Sequence, residues 1–71
     1  MINRMPKFRG ALKGRIHERG FKTIKGFSEK MNVDPTQISR VLNGWEFPSQ
    51  RLQEKIADSL QISLSELGKM L

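Results

Sequence analysis

The segment from Val33 to Gly44 carries a complete set of signals for one short helix, and it constrains the fold of the chain more than any other stretch. Asp34 is a favourable N-cap residue, Pro35 suits the first helical position, and Gln37 stands where the second member of a capping box is found. The pair Asn43-Gly44 is a common helix terminator. The sequence therefore predicts a helix over about 35–43 with both ends specified.

This helix has one apolar face, formed by Ile38, Val41 and Leu42. These three residues recur at the spacing that places side chains on one side of an α-helix. The remaining surface carries Thr36, Gln37, Ser39, Arg40 and Asn43. Side chains of these types hydrogen-bond to base edges in the major groove of DNA. A short helix with these two faces is suited to enter that groove.

Four more helices are predicted around this one, and no segment shows the alternating pattern of a strand. They cover about 6–19, 23–31, 50–60 and 63–71. Ser49 is the predicted cap of the fourth helix, and a capping box from Ser63 to Glu66 opens the last one. Their apolar residues at helical spacing are Phe8, Ala11, Leu12, Ile16, Ile24, Phe27, Met31, Leu52, Ile56, Ala57, Leu60, Leu64, Leu67 and Leu71. We therefore expect an all-α, compact five-helix bundle, with residues 1–5 as an N-terminal tail and 6–71 as one domain.

The second and third helices are separated by only about three residues, Asn32 to Asp34. Asn32 suits the left-handed backbone conformation that such a turn requires. Val33 supplies an apolar side chain between the two helices. A connection this short, with the N-cap already inside the turn, predicts a helix-turn-helix.

The positive charge of the chain lies in its first part. Residues 1–30 hold nine basic and two acidic side chains, whereas residues 31–71 hold four and five. Such asymmetry fits a surface that faces a polyanion, and equally a solvated basic face. Lys22, Lys25 and Lys30 flank the second helix, whose start is a natural phosphate site, and Arg9, Lys13 and Arg19 belong to the first helix. Phosphate contact and simple solvation are the two roles open to these side chains.

The 71 residues include no cysteine, so stability must come from apolar packing without disulfides or a thiolate-bound metal. No grouping of residues suggests a metal site, a cofactor site or a catalytic nucleophile, and we expect no enzymatic activity. His17 has no second ligand or catalytic partner. The chain has no apolar run that would span a bilayer, and its start lacks the apolar stretch of a secretory signal, so we expect a cytoplasmic, nucleoid-associated protein.

From Phe27 to Leu67 the chain resembles the Cro and phage-repressor (XRE-type) helix-turn-helix family. It matches that family's framework at Phe27, Met31, Val33, Ile38, Val41, Gly44, Pro48, Ser49, Leu52, Ile56, Ala57, Leu60, Ile62, Ser63, Glu66 and Leu67. The resemblance implies a lambda-repressor-like fold whose third helix enters the major groove by its N-terminal end. It also implies a repressor-like transcriptional regulator of phage type that binds a palindromic operator in double-stranded DNA as a homodimer.

Carried over position by position, the resemblance assigns base contacts to Thr36, Gln37 and Arg40. Pro35 stands where many relatives have a base-contacting Gln, so base recognition is expected to move to these three residues. Gln37 has an alternative role as the second residue of a capping box with Asp34. For Arg40 the alternative partners are a phosphate or a carboxylate.

Contacts to the DNA backbone are expected from residues around the two helices: Lys22, Thr23, Lys25, Ser39, Asn43 and Trp45. Many relatives have a Gln where this chain has Thr23 or Ile24, so the chain departs from the family pattern at this contact. Trp45 and Phe47 flank Glu46 in the loop after the third helix, and we expect both aromatic side chains to be core anchors. The alternative is that the indole N–H of Trp45 donates to a phosphate.

Two predictions concern partners. The last helix is expected to place Leu64 and Leu67 in the core and to leave Met70 and Leu71 for the dimer interface, an area that would support only weak association without DNA. A second hypothesis from another class is an antitoxin or anti-repressor whose main target is a protein, because a fold does not determine a function.

Overall fold

The structure, a computed structural model, describes residues 7–71, which form five α-helices and no strand. The tail predicted for residues 1–5 lies outside the described residues. The helices are α1 (Gly10–Glu18), α2 (Ile24–Met31), α3 (Pro35–Leu42), α4 (Gln50–Leu60) and α5 (Leu64–Met70). The expectation of an all-α bundle of five helices is confirmed for these residues.

Each of the helices α2 to α5 is preceded by a residue whose side-chain oxygen accepts a hydrogen bond from a backbone N–H of the first turn. The donor–acceptor distances are 2.9–3.2 Å, and the cap residues are Thr23, Asp34, Ser49 and Ser63. These bonds satisfy N–H groups that have no partner within the helix. The helix starts predicted at Asp34, Ser49 and Ser63 are confirmed, and Thr23 caps α2 rather than opening it.

Helices α1 to α4 all end in the same way. A residue in the left-handed region follows each helix, with φ values of 57° to 91°. The next N–H then donates to the carbonyl five residues earlier, as in a Schellman motif. The left-handed residues are Gly20, Asn32, Gly44 and Gln61. The conformation predicted for Asn32 is thus confirmed, and α3 ends at Leu42, one residue before the predicted end.

The start of α1 differs from the prediction of a helix from about residue 6. Residues 7–9 are not helical, and α1 begins at Gly10. Instead of joining the helix, the backbone N–H of Arg9 donates to the carbonyl oxygen of Leu42 at 2.7 Å. The segment thereby satisfies a carbonyl at the end of α3 that has no partner within its own helix.

One hydrophobic core joins the helices. It is formed by Leu12, Ile16, Phe27, Met31, Ile38, Val41, Leu42, Leu52, Ile56, Ala57, Leu60 and Leu67. Leu64, which was expected in the core, is instead 40% exposed, and it occupies the first position of α5, one turn from the buried Leu67. Phe8 and Ala11, from the predicted apolar side of the first helix, are also exposed, and Phe8 precedes the helix that was expected to include it.

Helix α3 packs against α1 and α2, and α4 packs against α2 and α5. The three-residue connection between α2 and α3 includes Val33, which packs against the core as expected. An ion pair of Arg15 with Glu66 joins α1 to α5. None of the helices in residues 7–71 has both the length and the apolar character needed to cross a membrane.

Candidate nucleic-acid interface

The exposed face of α3 contains the side chains of Thr36, Ser39 and Arg40, and Gln37 is half-buried beside them. The apolar face holds Ile38, Val41 and Leu42, each at most 3% exposed. The predicted division of this helix into a buried and an exposed side is confirmed. Arg40 takes part in neither of the two ion pairs found among residues 7–71, so its guanidinium is available to an external partner.

The backbone at the N-terminal end of α3 has its hydrogen bonds satisfied within the protein. Thr36 N–H donates to the Asp34 carboxylate at 2.9 Å, and the N–H groups of Gln37 and Ile38 donate to the Asp34 carbonyl at 3.0 and 3.3 Å. Pro35 has no N–H. This end of the helix therefore offers side chains, rather than backbone amides, to a ligand.

The capping-box role considered for Gln37 is wrong. That role needs the Gln37 amide near the backbone N–H of Asp34. Instead its Nε2 donates to Oε2 of Glu46 at 3.0 Å. The turn after α3 brings this carboxylate beside the helix, and a charged acceptor makes a stronger hydrogen bond than a neutral one. Gln37 is thus attached to the following loop.

Ser39 and Asn43 form an exposed pair one turn apart. The Asn43 amide donates to the Ser39 hydroxyl at 3.3 Å. The structure therefore brings these two candidate backbone-contacting residues together on the surface. The hydroxyl hydrogen of Ser39 and the second amide hydrogen of Asn43 remain possible donors.

The expectation that Trp45 and Phe47 are core anchors is wrong. Their side chains are 72% and 65% exposed, and Pro48 is buried in their place. The Schellman motif at Gly44 turns the chain across the end of α3, where the segment from Lys7 to Arg9 already lies. The loop aromatics are left on the surface, so Trp45 stays available for a contact outside the fold.

Arg9 is a structural residue that the sequence did not distinguish from its basic neighbours. Its guanidinium donates to the carbonyl oxygen of Val41 and, at 3.0 Å, to that of Glu46. It also lies 5.7 Å from the centre of the Phe47 ring. A cation is favourable at the C-terminal end of a helix because the carbonyl groups there carry partial negative charge. These partners are more than 30 residues away in the sequence, so no local pattern indicates them.

The other basic side chains of the first two helices and their flanks differ in whether they have partners within the protein. Arg15 is engaged with Glu18 and Glu66, while Lys13 and Lys30 lie over the rings of Phe8 and Phe21. Lys22 and Lys25, beside the N-cap of α2, are exposed. Thr23, the third residue predicted here for backbone contact, is exposed but uses its hydroxyl oxygen to accept from Gly26 at 3.0 Å. Its hydroxyl hydrogen is not required for that bond.

The predicted dimer residues Met70 and Leu71 are half-buried and pack against the core of their own chain. Part of each side chain is still accessible at the end of α5. Leu64 adds an exposed apolar side chain at the start of the same helix.

Comparison of the chain with protein-family models, with curated proteins and with solved structures found no match.

Proposed function

We propose that the protein is a sequence-specific DNA-binding transcriptional regulator of the repressor type. In this proposal α2, the turn 32–34 and α3 act as a lambda-repressor-like helix-turn-helix, and α3 enters the major groove. The main supporting observation is the exposed side of α3, where Thr36 and Arg40 are accessible while the opposite side is buried in the core.

Each group of polar residues has a separate task in this proposal. Thr36, Gln37 and Arg40 contact bases, and Arg is the side chain best matched to the two acceptors of guanine. Lys22 and Lys25 neutralise phosphates, with Thr23, Ser39, Asn43 and Trp45 as neutral donors to the backbone. Phosphate contacts position the protein, and base contacts select the sequence.

The active form in this proposal is a homodimer on a palindromic operator. Two copies of α3 would then occupy major-groove segments about one helical turn apart. Met70 and Leu71 supply accessible apolar area for the dimer contact. The proposed activity is binding without catalysis, inside the cell and on the nucleoid.

The test is titration of the protein against a library of palindromic duplexes at about 50 and 200 mM salt. Two lysines from each of two protomers would neutralise about four phosphates, which predicts an affinity loss on the order of 100-fold between these salt concentrations. We expect selective enrichment of one half-site sequence. Absence of selectivity at both salt concentrations would contradict the proposal.

The alternative, an antitoxin or anti-repressor that targets a protein, is favoured by the exposed aromatic side chains of Trp45 and Phe47. Aromatic side chains are enriched in protein–protein interfaces. The same titration separates the two functions, because a protein-directed module would show no preferred DNA sequence.

A further inference from the structure

A hydrogen bond links a candidate base-contacting residue to the loop that follows its helix. Nε2 of Gln37 and Oε2 of Glu46 are 3.0 Å apart, and both residues are half-buried. Gln37 lies in the first turn of α3, and Glu46 follows the Schellman motif at Gly44. The bond therefore connects the two ends of the proposed recognition helix.

The chemistry of this bond fixes the orientation of the amide. An ionised carboxylate only accepts hydrogen bonds, so the nitrogen of the Gln37 amide must face Glu46 and its oxygen must point elsewhere. The amide nitrogen carries two hydrogens, so one N–H and the carbonyl oxygen stay available. Adenine presents the matching pair in the major groove, an acceptor at N7 and a donor at N6.

Glu46 is itself held in place by two backbone bonds. Its carbonyl oxygen accepts from the Arg9 guanidinium at 3.0 Å, and its N–H donates to the Arg40 carbonyl at 3.3 Å. These two residues belong to different segments of the chain, so the backbone of Glu46 is anchored on both sides. The carboxylate is consequently presented to Gln37 from a defined position.

We propose that Glu46 is a positioning residue that determines the base preference of Gln37. The carboxylate holds the Gln37 amide in the orientation that matches an A·T pair, and it acts without touching the base. This inference rests on the proposed DNA-binding function, of which it names one determinant of specificity.

The first test is the substitution Glu46→Gln, which keeps the shape of the side chain but can donate as well as accept. Both orientations of the Gln37 amide then become possible. A bidentate contact discriminates between bases by roughly 5- to 100-fold. We expect the preference for A·T at one position of the selected half-site to fall at least about twofold, because only about half of the Gln37 amides then have the matching orientation. Affinity for duplexes that lack the A·T pair at this position should not fall, because the substitution removes a negative charge near the DNA.

A second variant, Glu46→Asp, retains the charge but shortens the side chain by one methylene group. This variant should also lose the preference for A·T at that position. Because it keeps the negative charge, such a loss shows that the position of the carboxylate matters and not its charge alone. Thermal unfolding of each variant confirms that it is folded before binding is measured.

Helix α4 offers a matched control for the substitution. Gln50 donates to Glu54 at 3.4 Å on an exposed surface, so Glu54→Gln makes the same chemical change in another Gln–Glu pair. Glu54→Gln changes the net charge of the protein by the same amount as Glu46→Gln. We expect Glu54→Gln to leave the base preference unchanged at every position.

The decisive experiment combines Glu46→Gln with Gln37→Ala in one protein. If Glu46 acts through Gln37, adding Glu46→Gln to the Gln37→Ala protein produces no further loss of preference at that base pair. An unchanged preference in Glu46→Gln alone, or an equal loss in the Gln37→Ala background, would overturn the inference and leave the proposed function intact. Absence of any selective binding by the unsubstituted protein would overturn the proposed function and, with it, the inference.

Discussion

The two ends of α3 are built differently. At the N-terminal end the Asp34 carboxylate accepts from Thr36, and the side chains around that bond are exposed. At the C-terminal end the segment from Lys7 to Arg9 lies against the helix, and Arg9 donates to the carbonyl oxygens of Val41 and Leu42. Contacts more than 30 residues apart in sequence thus cover the C-terminal end of α3. The N-terminal end is capped by its neighbour Asp34 and joined to the following loop by the Gln37–Glu46 bond.

This difference shows how a domain of this size can present a precise surface. A side chain that contacts a ligand must be accessible, so it contributes little to holding its own helix in place. The buried face and the covered C-terminal end supply that support for α3. The geometry of Thr36 and Arg40 therefore depends on contacts that lie at the other end and on the other side of the helix.

The largest effect is expected from Gly44→Ala, which disrupts the packing of the segment 7–9 against the C-terminal end of α3. Gly44 has a φ of +81°, and a methyl group there would lie 2.7 Å from the backbone nitrogen of Lys7. The left-handed conformation costs a non-glycine residue roughly 1–2 kcal/mol, and overpacking adds roughly 1–3 kcal/mol. We expect the free energy of unfolding, measured by urea denaturation, to fall by about 2–5 kcal/mol.

Gly14→Ala is the matched control for this substitution. Gly14 lies within α1, and an added methyl group there would contact nothing within 4 Å. Because Ala has the higher helix propensity, we expect this variant to be more stable by up to about 1 kcal/mol. A loss below about 1 kcal/mol in Gly44→Ala would mean that the Lys7 backbone does not lie against the end of α3.

A smaller effect is expected from Asp34→Ala, which removes the side-chain cap at the N-terminal end of α3. Loss of an N-cap typically costs about 1 kcal/mol. Urea denaturation of this variant should therefore show a smaller decrease in stability than that of Gly44→Ala. If Asp34→Ala proved the more damaging of the two, the assignment of the C-terminal end as the better-supported end would be wrong.

The sequence predicted those parts of the fold that depend on short-range signals. The caps at Asp34, Ser49 and Ser63 act within one turn, and the left-handed turn at Asn32 needs only its own side chain. The apolar face of α3 follows from helical spacing alone. For these features the local preference and the folded structure agree.

Features that depend on distant contacts were not predictable in this way. The exposure of Trp45 and Phe47 follows from the position of the segment 7–9, and the role of Arg9 follows from carbonyl groups 32 and 37 residues away. The partner of Gln37 is likewise set by the turn at Gly44. Sequence identified the candidate site residues, but not the contacts that orient them.

In the proposed function, side chains on the exposed face of α3 select the DNA sequence. The most direct test compares the unsubstituted protein with Arg40→Ala on the selected operator and on each of its single-base variants. We expect Arg40→Ala to lose about 1–3 kcal/mol of binding free energy on the operator and to lose discrimination at one base pair only. A uniform weakening on all sequences, or no change in discrimination, would contradict the claim.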